Sequence, residues 1–353
     1  MKICRLTKAQ YSEFFRFNRE IYPTRRDVEE RFRSQILDNP LLEEESGPTV
    51  LVAHSADGQI IGQFVLMPLE YHFDGTCSRG FFGCDYFVLR DQKASGAGAL
   101  LAFRAIGGFR PYFTFDASET ARKIGESLGV KRIGDMYKFL WIRSIAAPIR
   151  MLFCETLGRR SVFRDGRFED FEFPRFLPCG RNQFQLVDSL RQWKHHIWND
   201  TVLEFSRSAQ FMNWRFLRRR ETYFMYRLGG EGNQWTYFVV RKAAWKGLRL
   251  LALIDYRVPF GDKRGFKLLL IAVKLLARIA RCEGVITMSS HRFFDRMLKG
   301  SFFVRMGEPA VVLTNAQLHV PQKRIGERTL VYTTMADGDI DFDYYRLRNS
   351  GAA

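Results

Sequence analysis

Val88-Leu89-Arg90-Asp91-Gln92-Lys93-Ala94-Ser95-Gly96-Ala97-Gly98-Ala99 decides how this chain is read. The segment leaves the end of an apolar strand and opens a helix of small and apolar residues. Gly96 and Gly98 let the backbone come close to a ligand with no side chain in the way. The first turn of a helix presents unpaired N–H groups and the positive end of its dipole, which together make an anion site. Lys93 adds a full charge beside it. The ligand class that fits is a pyrophosphate.

Working outward, residues 9–37 read as a helix broken at Pro23 and stopped by Asp38-Asn39-Pro40. Strands follow at 49–54, 60–71 and 80–89, joined by the turns Asp57-Gly58 and Asp74-Gly75. After the glycine loop come a helix over 95–106, a strand over 112–116, a helix over 119–128 and a strand pair or hairpin over 132–143. A meander that feeds a glycine loop is unlike a Rossmann unit, where strands and helices alternate from the start. Residues 159–182 are rich in Arg, Phe, Pro and Gly and read as a connector. The second half repeats the pattern: strands at 235–241 and 248–258, a helix over 265–282, a strand at 284–289, a short helix over 291–298, then strands at 310–313 and 330–334. Asp85-Tyr86-Phe87-Val88 and Asp255-Tyr256-Arg257-Val258 stand at equivalent strand ends, which points to two copies of one unit. The expected fold class is α/β of the mixed α+β kind, in two units: 1–158 and 183–353, on either side of the connector.

Of 353 residues, 46% are hydrophobic and 33 are Phe, enough for a packed core with aromatic contacts. The net charge of +17 attracts phosphates in a cofactor, a nucleic acid or an anionic lipid. The cations are spread along the chain with no basic tail, so nucleic acid is not expected as a partner. None of the six Cys forms a CxxC pair or stands at zinc-ligand spacing with His, so no metal is expected. Met1 to Gln10 lacks an apolar signal core, and no run of 18 apolar residues occurs. The expectation is a cytoplasmic protein that admits peripheral contact with an anionic membrane face, for which residues 142–153 are the candidate. Nothing in the sequence sets an oligomeric state.

Lys93-Ala94-Ser95-Gly96-Ala97-Gly98 resembles the Arg/Gln-x-x-Gly-x-Gly/Ala loop of the GNAT (N-acetyltransferase) superfamily, with Lys in the first place. Val88 matches the strand-end Val of that family; Arg90 stands where a Pro is usual. Ser118-Glu119-Thr120-Ala121 with Leu128-Gly129-Val130 looks like its Asn-x-x-Ala helix. Over nearly the full length, the chain is similar to bacterial tandem-GNAT proteins associated with surface-polysaccharide synthesis. That likeness rests on Asn213-Trp214-Arg215-Phe216, Tyr223 and the acidic run from Asp337.

The resemblance implies two GNAT-like units, each a twisted, mainly antiparallel sheet flanked by helices. The first would bind acyl-CoA, and a degenerate second unit would close the acceptor cleft. It implies a CoA-dependent N-acyltransferase that moves an acyl group from acetyl-CoA or another acyl-CoA to a small-molecule amine, such as an amino sugar, by direct attack. Phe87, Val88, Lys93, Ala94, Ser95, Gly96, Ala97, Gly98, Ala99 and Ser118 would hold the cofactor. Asp85 is the first candidate for general base and Glu70 the second, with Tyr86 for proton return. Asp255, Arg215 and Tyr223 are candidates for the acceptor. Gly125 occupies the position of the family's acid Tyr. The second loop, from Pro259 to Phe266, has Gly261 and Gly265 but no GxG, so that half is not expected to bind CoA. Two alternatives stay open: a non-catalytic GNAT-fold binding protein, and a FemAB-like aminoacyl transferase that uses charged tRNA.

Overall fold

Two Asp-Gly turns shape the first sheet. At Asp74 and Gly75 φ is positive at both positions (52° and 69°), the two-residue geometry that follows the natural twist of paired strands. The computed structural model describes residues 1–23, 25, 27–43, 47–89, 95–115, 117–144, 171–191, 193–194, 196–229, 235–245, 248–318 and 330–338. Most of the membrane candidate at 142–153 lies outside the described residues. The chain divides into two units: Met1–Asp135 with Leu203–Ser206 and Ala310–Leu330, and Met136–Val202 with Arg207–Pro309 and Val331–Ala353. The division falls within one strand, Lys131–Ile142, rather than at the connector expected over 159–182. The described end of that connector is a hairpin of the second unit, Phe176–Cys179 with Asn182–Leu186. The hairpin expected over 132–143 is instead the single strand Lys131–Ile142.

In the first unit, β1 (Lys2–Arg5), β2 (Val50–His54), β3 (Ile60–Phe73) and β4 (Thr76–Val88) pair antiparallel in that order. β5 (Tyr112–Phe115) joins β4 parallel. Residues 312–314 then pair antiparallel with β5. The expected N-terminal helix is two: α1 (Tyr11–Ile21) and α2 (Val28–Phe32), separated around Pro23, which has no N–H to continue the ladder. α3 (Ala97–Gly108) lays Ala97, Leu101, Ala102, Ala105 and Ile106 on Leu51, Ile61, Phe64 and Leu66 of the sheet. Its alanines let the helix sit close. α4 (Glu119–Ser127) follows β5, started by Ser118, whose hydroxyl accepts from Ala121 N–H.

The second unit runs the same sequence of elements. β6 (Lys131–Ile142) pairs through residues 137–142 with β13 (Gly284–Ser289), which lies parallel to β12 (Leu248–Arg257). β11 (Tyr237–Trp245), β10 (Phe224–Leu228), β8 (Asn182–Leu186) and β7 (Phe176–Cys179) extend the sheet antiparallel. Leu203–Phe205 forms β9, which pairs with β3 in the first unit, and Val304–Thr314 forms β14, whose residues from Ala310 on belong to the first unit. α5 (Ala209–Arg215), α6 (Lys263–Ile279) and α7 (Arg292–Lys299) complete the helices used below. Phe266, Leu269, Leu270, Val273 and Leu276 of α6 enter a core with Phe139, Leu253, Val285 and Phe294. A hairpin, a bulged strand, a helix, a parallel strand and a second helix therefore occur in the same order in both units. No helix among the described residues is long and apolar enough to cross a membrane.

Candidate functional site

β4 is not a regular strand. Gln63 pairs with Phe87, but Val65 pairs with Cys84, so one residue too many lies between them, and Asp85 takes φ 47°. This is a β-bulge, which bends a strand and re-aims the residues beyond it. Its exposed groups are bound. Gln63 Nε2 donates to the Asp85 carbonyl at 3.2 Å, while the Gln63 and Asn18 side-chain amides pair at 2.7 and 3.2 Å. The Asp85 carboxylate accepts from both terminal nitrogens of Arg25, at 3.0 and 2.8 Å, and lies 3.5 Å from Arg31. Arg25 in turn covers the Tyr22 ring, 3.5 Å from its centroid. Burial acts to raise the Asp85 carboxyl, but the charges of Arg31 and Arg25 and hydrogen bonds from Arg25 and Tyr22 outweigh it and hold the group below the usual carboxylate range.

A carboxylate clamped by two arginines is a poor proton acceptor, which speaks against Asp85 as the general base expected from the sequence. The bulge also cancels the simple alternation from which its side chain was expected to oppose Val88. Its stability contribution is complete above the ordinary carboxylate range and is lost as pH falls through the lower folded value. Asp85→Asn should be less stable at neutral pH and show a flatter acid limb in urea unfolding measured across pH. An unchanged limb would mean that the carboxylate is not clamped.

Beyond the bulge, β4 outruns its parallel neighbour. Backbone pairing with β5 joins Phe81 to Tyr112 and Phe82 to Phe113. One step on, the Thr114 hydroxyl rather than a backbone group reaches the Gly83 carbonyl, and β5 ends at Phe115. Leu89 N–H donates to Ile61 O on the β3 side. By the alternation of an antiparallel pair, the N–H and C=O of Val88 point to the opposite edge. That is the edge from which β5 is missing.

Above this edge begins α3. Gly96 is its N-cap, at φ 77°, and no side-chain oxygen of the cap reaches back to the first turn. A Cβ added at Gly96 would meet nothing within 4 Å. Glycine stands there for its left-handed backbone and leaves the helix end open. Ser95 Oγ accepts from Ala97 N–H at 3.3 Å. Ala97 is buried, whereas Ser95, Gly96 and Ala99 are exposed.

Gly98 has a different reason. A Cβ there would stand 2.8 Å from the Tyr86 hydroxyl. Its missing side chain makes room for this chain's own tyrosine, not for a ligand as the sequence suggested. The Tyr86 ring stacks on Phe64 at 4.8 Å, and burial raises its phenol above the ordinary value. Phe87 pairs with Gln63 and packs its ring near Tyr22. Of the three catalytic candidates, Tyr86 alone lies at the glycine loop. Glu70 pairs with Arg79 across the β3–β4 hairpin, whereas Val88 pairs with Gly62. The two positions are therefore separated by about 26 Å of extended strand, and Glu70 is no base for chemistry at Val88. Lys93 and Ala94 lie outside the described residues. Ser118, expected at the cofactor, is the α4 cap described above.

The equivalent helix in the second unit starts differently. Asp262 caps α6, accepting from Gly265 N–H at 2.8 Å. A Cβ on Gly265 would meet that carboxylate at 2.2 Å. The positive end of α6 is thus filled by the chain's own anion. Asp262→Ala should cost about 1 kcal/mol of stability, read from the urea midpoint.

The three acceptor candidates are buried inside the second unit. Asp255 has 0% exposure. It accepts from Arg207 Nε at 2.8 Å, Arg207 Nη2 at 3.0 Å, the Tyr237 hydroxyl at 2.9 Å and the Thr334 hydroxyl at 2.7 Å. Asp337 meets Arg207 Nη1 at 2.5 Å and closes a cap with Thr334 N–H at 2.8 Å. Burial acts to lower Arg207, but Asp255 and Asp337 hold it well above its ordinary value. Arg215 donates to the carbonyls of Ala336 and Gly338, and Tyr223 packs edge-on against Phe216. All three build the unit's interior, which speaks against their expected role in gripping an acceptor. Among the described residues, no group of three His, Cys, Asp or Glu side chains is placed to hold a metal.

The sequence missed Arg25, Arg31 and Gln63, which hold the bulge from 22 to 60 residues away in sequence. Only the abundance of Arg hinted at them.

No family model matches the sequence, and no curated protein matches it. The fold does have solved counterparts. A GCN5-related N-acetyltransferase from Anabaena variabilis superposes with a TM-score of 0.54 at 9% identity, over 88% of this chain and 72% of its own. A probable N-acyltransferase from Enterococcus faecalis gives 0.55 at 12% identity, over 89% and 71%. N-myristoyltransferase from Saccharomyces cerevisiae, solved with bound myristoyl-CoA, gives 0.58 at 11% identity, over 94% and 89%. The chain thus has the mixed α/β fold of these acyltransferases.

Proposed function

We propose that this protein is a CoA-dependent N-acyltransferase, whose first unit takes acyl-CoA at the N-terminus of α3 and along the free edge of β4 at Val88. The observation that carries the reading is the open helix end at Gly96, set against the carboxylate-filled end at Asp262 in a unit of otherwise equal plan. Anionic phosphates suit the first and are repelled by the second. The fold likeness to acyltransferases supports the same assignment. The donor set is what a CoA pyrophosphate and pantetheine amides need: the backbone N–H groups of Gly96, Gly98 and Ala99, with that of Ala97 already held by Ser95 Oγ, and the N–H and C=O of Val88. Ser95 would sit beside them, and Lys93 and Ala94 belong to the same proposed loop.

In the reaction, an amine nitrogen attacks the thioester carbonyl, the C–N bond forms, the C–S bond breaks and CoA leaves as thiolate. The amine proton passes to water, since neither Asp85 nor Glu70 is suited to accept it. Val88 N–H is the group we assign to the developing oxyanion. Tyr86 keeps its proton at neutral pH and is the donor we assign to the thiolate, regaining a proton from the water that took the amine's. Tyr86→Phe, which retains the stack on Phe64, should lower kcat about tenfold and leave CoA affinity alone. A thiolate leaves readily unaided, so the effect falls below the usual range for acid catalysis. The acceptor we assign is a small-molecule amine, an amino sugar among them, in a tandem-unit protein.

The reading is tested by thermal unfolding with acetyl-CoA and with myristoyl-CoA. Stabilisation should grow with ligand concentration, reaching about 2.7 kcal/mol at a hundred times Kd. No shift with either ester would sink the proposal. The loss of both carboxylate bases favours a second reading, a GNAT-fold binding protein without catalysis. It would show the thermal shift but release no CoA thiol in the presence of amines.

A further inference from the structure

Phe302 is held in a position that makes no sense for a folded protein alone. It follows α7 in a tight turn, its N–H donating to Lys299 O while Phe303 N–H reaches Leu298 O. Its φ is 63°, the left-handed conformation in which helices end on glycine, and a bulky side chain is strained there. Burial could offset that strain, but Phe302 is 83% exposed. It therefore gains neither an easy backbone nor a dry side chain.

Its surroundings name the partner. Val304, two residues on, is 63% exposed, and Ile271 on α6 is 57% exposed. Lys274, one turn along α6 from Ile271, donates to Ser301 O and stands 5.9 Å from the Phe302 ring centroid. Lys274 thus ties the Ile271 side of α6 to the Phe302 turn. Arg278, the next turn of the same face, is exposed, as is Lys299 at the base of the Phe302 turn. Between residues 263 and 305 the sequence has ten Lys and Arg and two acids, Glu283 and Asp295, both buried. Exposed charge on this stretch is of one sign. A second copy of the chain meeting it with this same face would bring the same sign and be repelled. Nucleic acid would answer the charge but would not reward aliphatic tips such as Val304 and Ile271. A surface that is apolar just beneath a layer of negative charge answers both.

We propose that the Phe302 turn and the adjoining face of α6 dock on anionic phospholipid, with Phe302 and Val304 entering the headgroup–acyl boundary and Arg278 and Lys299 meeting lipid phosphates. This is independent of the acyl-transfer reading.

The test is co-sedimentation of the full chain with phosphatidylcholine vesicles and with mixed phosphatidylcholine–phosphatidylglycerol vesicles. Binding is expected to the mixed vesicles only, and to weaken as salt rises. Phe302→Gly should partition roughly tenfold more weakly while its Tm stays level or rises, because glycine relieves the strained backbone. Opposite signs in the two readouts separate docking from misfolding. A double variant, Arg278→Glu with Lys299→Glu, should lose the preference for anionic vesicles. Equal partitioning of wild type and Phe302→Gly would overturn the proposal. So would wild-type protein that ignores mixed vesicles but is retained on duplex DNA.

Discussion

Gly96→Asp should lose about ten- to a hundredfold in affinity for acetyl-CoA and keep its fold. The substitution gives α3 the kind of cap that Asp262 gives α6. Asp tolerates a positive φ better than most residues, and open space at the Cβ position means that nothing must move to admit it. Its carboxylate would lie at the helix end where we assign the CoA phosphates. Two like charges some 5 Å apart at a protein surface repel by roughly 3 kcal/mol at an effective dielectric of 20. The lost dipole attraction adds in the same direction. Gly96→Asn provides the control, with nearly the same shape, the same tolerance of the left-handed region and no charge. Isothermal titration of both variants separates charge from bulk. Asn should retain most of the affinity. If Asp bound acetyl-CoA as tightly as Asn, phosphates would not sit at this helix end. The better-known glycine of the loop, Gly98, is the wrong place for the experiment. A side chain there displaces the Tyr86 hydroxyl, so weakened binding would report disturbed packing.

That the helix start at Gly96 is legible in the sequence while the clamps on Asp85 and Asp255 are not has a physical cause. Local chemistry is written locally. A left-handed glycine at a helix start, Asp-Gly turns and a Pro-broken helix each depend on a few adjacent residues, whereas β1, β7 to β10 and α5 were not expected and β14 begins six residues before its expected start. The bulge at Asp85 is different. No glycine marks it, since φ 47° is borne by an aspartate, and the Asn18–Gln63 pair that sustains it joins positions 45 residues apart. The same holds for the ends of the sheets. Residues 312–314 pair with β5 and residues 137–142 with β13, so the strand beside each comes from the half of the chain to which the order of elements does not assign it. The echo of Asp85-Tyr86-Phe87-Val88 in Asp255-Tyr256-Arg257-Val258 did carry information, though of another kind than catalysis. Both aspartates lie at a strand irregularity, with register shifts in β3–β4 and β11–β12. Both are clamped by arginine, Arg25 in one unit and Arg207 in the other. What repeats is a structural joint that orients the last residues of a strand. The Asp262 cap was missed, although Asp three residues ahead of a helical N–H is an ordinary cap signal.

Asp255→Asn separates a structural joint from an acceptor grip by the larger margin. Asn keeps the shape of the side chain but replaces one carboxylate oxygen with a donor. That nitrogen would face donors on every side: two from Arg207, one from Tyr237 and one from Thr334. Arg207, 2% exposed, would be left with Asp337 as its remaining carboxylate. Removing one partner from a buried ion pair costs about 3–5 kcal/mol, because the other charge stays buried without it. At roughly 2–4 °C per kcal/mol for a unit of this size, Tm should fall by about 10 °C. Wild-type pairs of this kind are weak evidence of net stabilisation; the prediction concerns only the cost of breaking one. If Asp255 instead met an acceptor amine, the variant would unfold at the wild-type temperature and show a raised KM for the amine. Thermal unfolding without any ligand therefore decides the matter before a substrate is known. Full wild-type stability in Asp255→Asn would remove the clamp from the account of this unit and return Asp255 to the candidates for substrate.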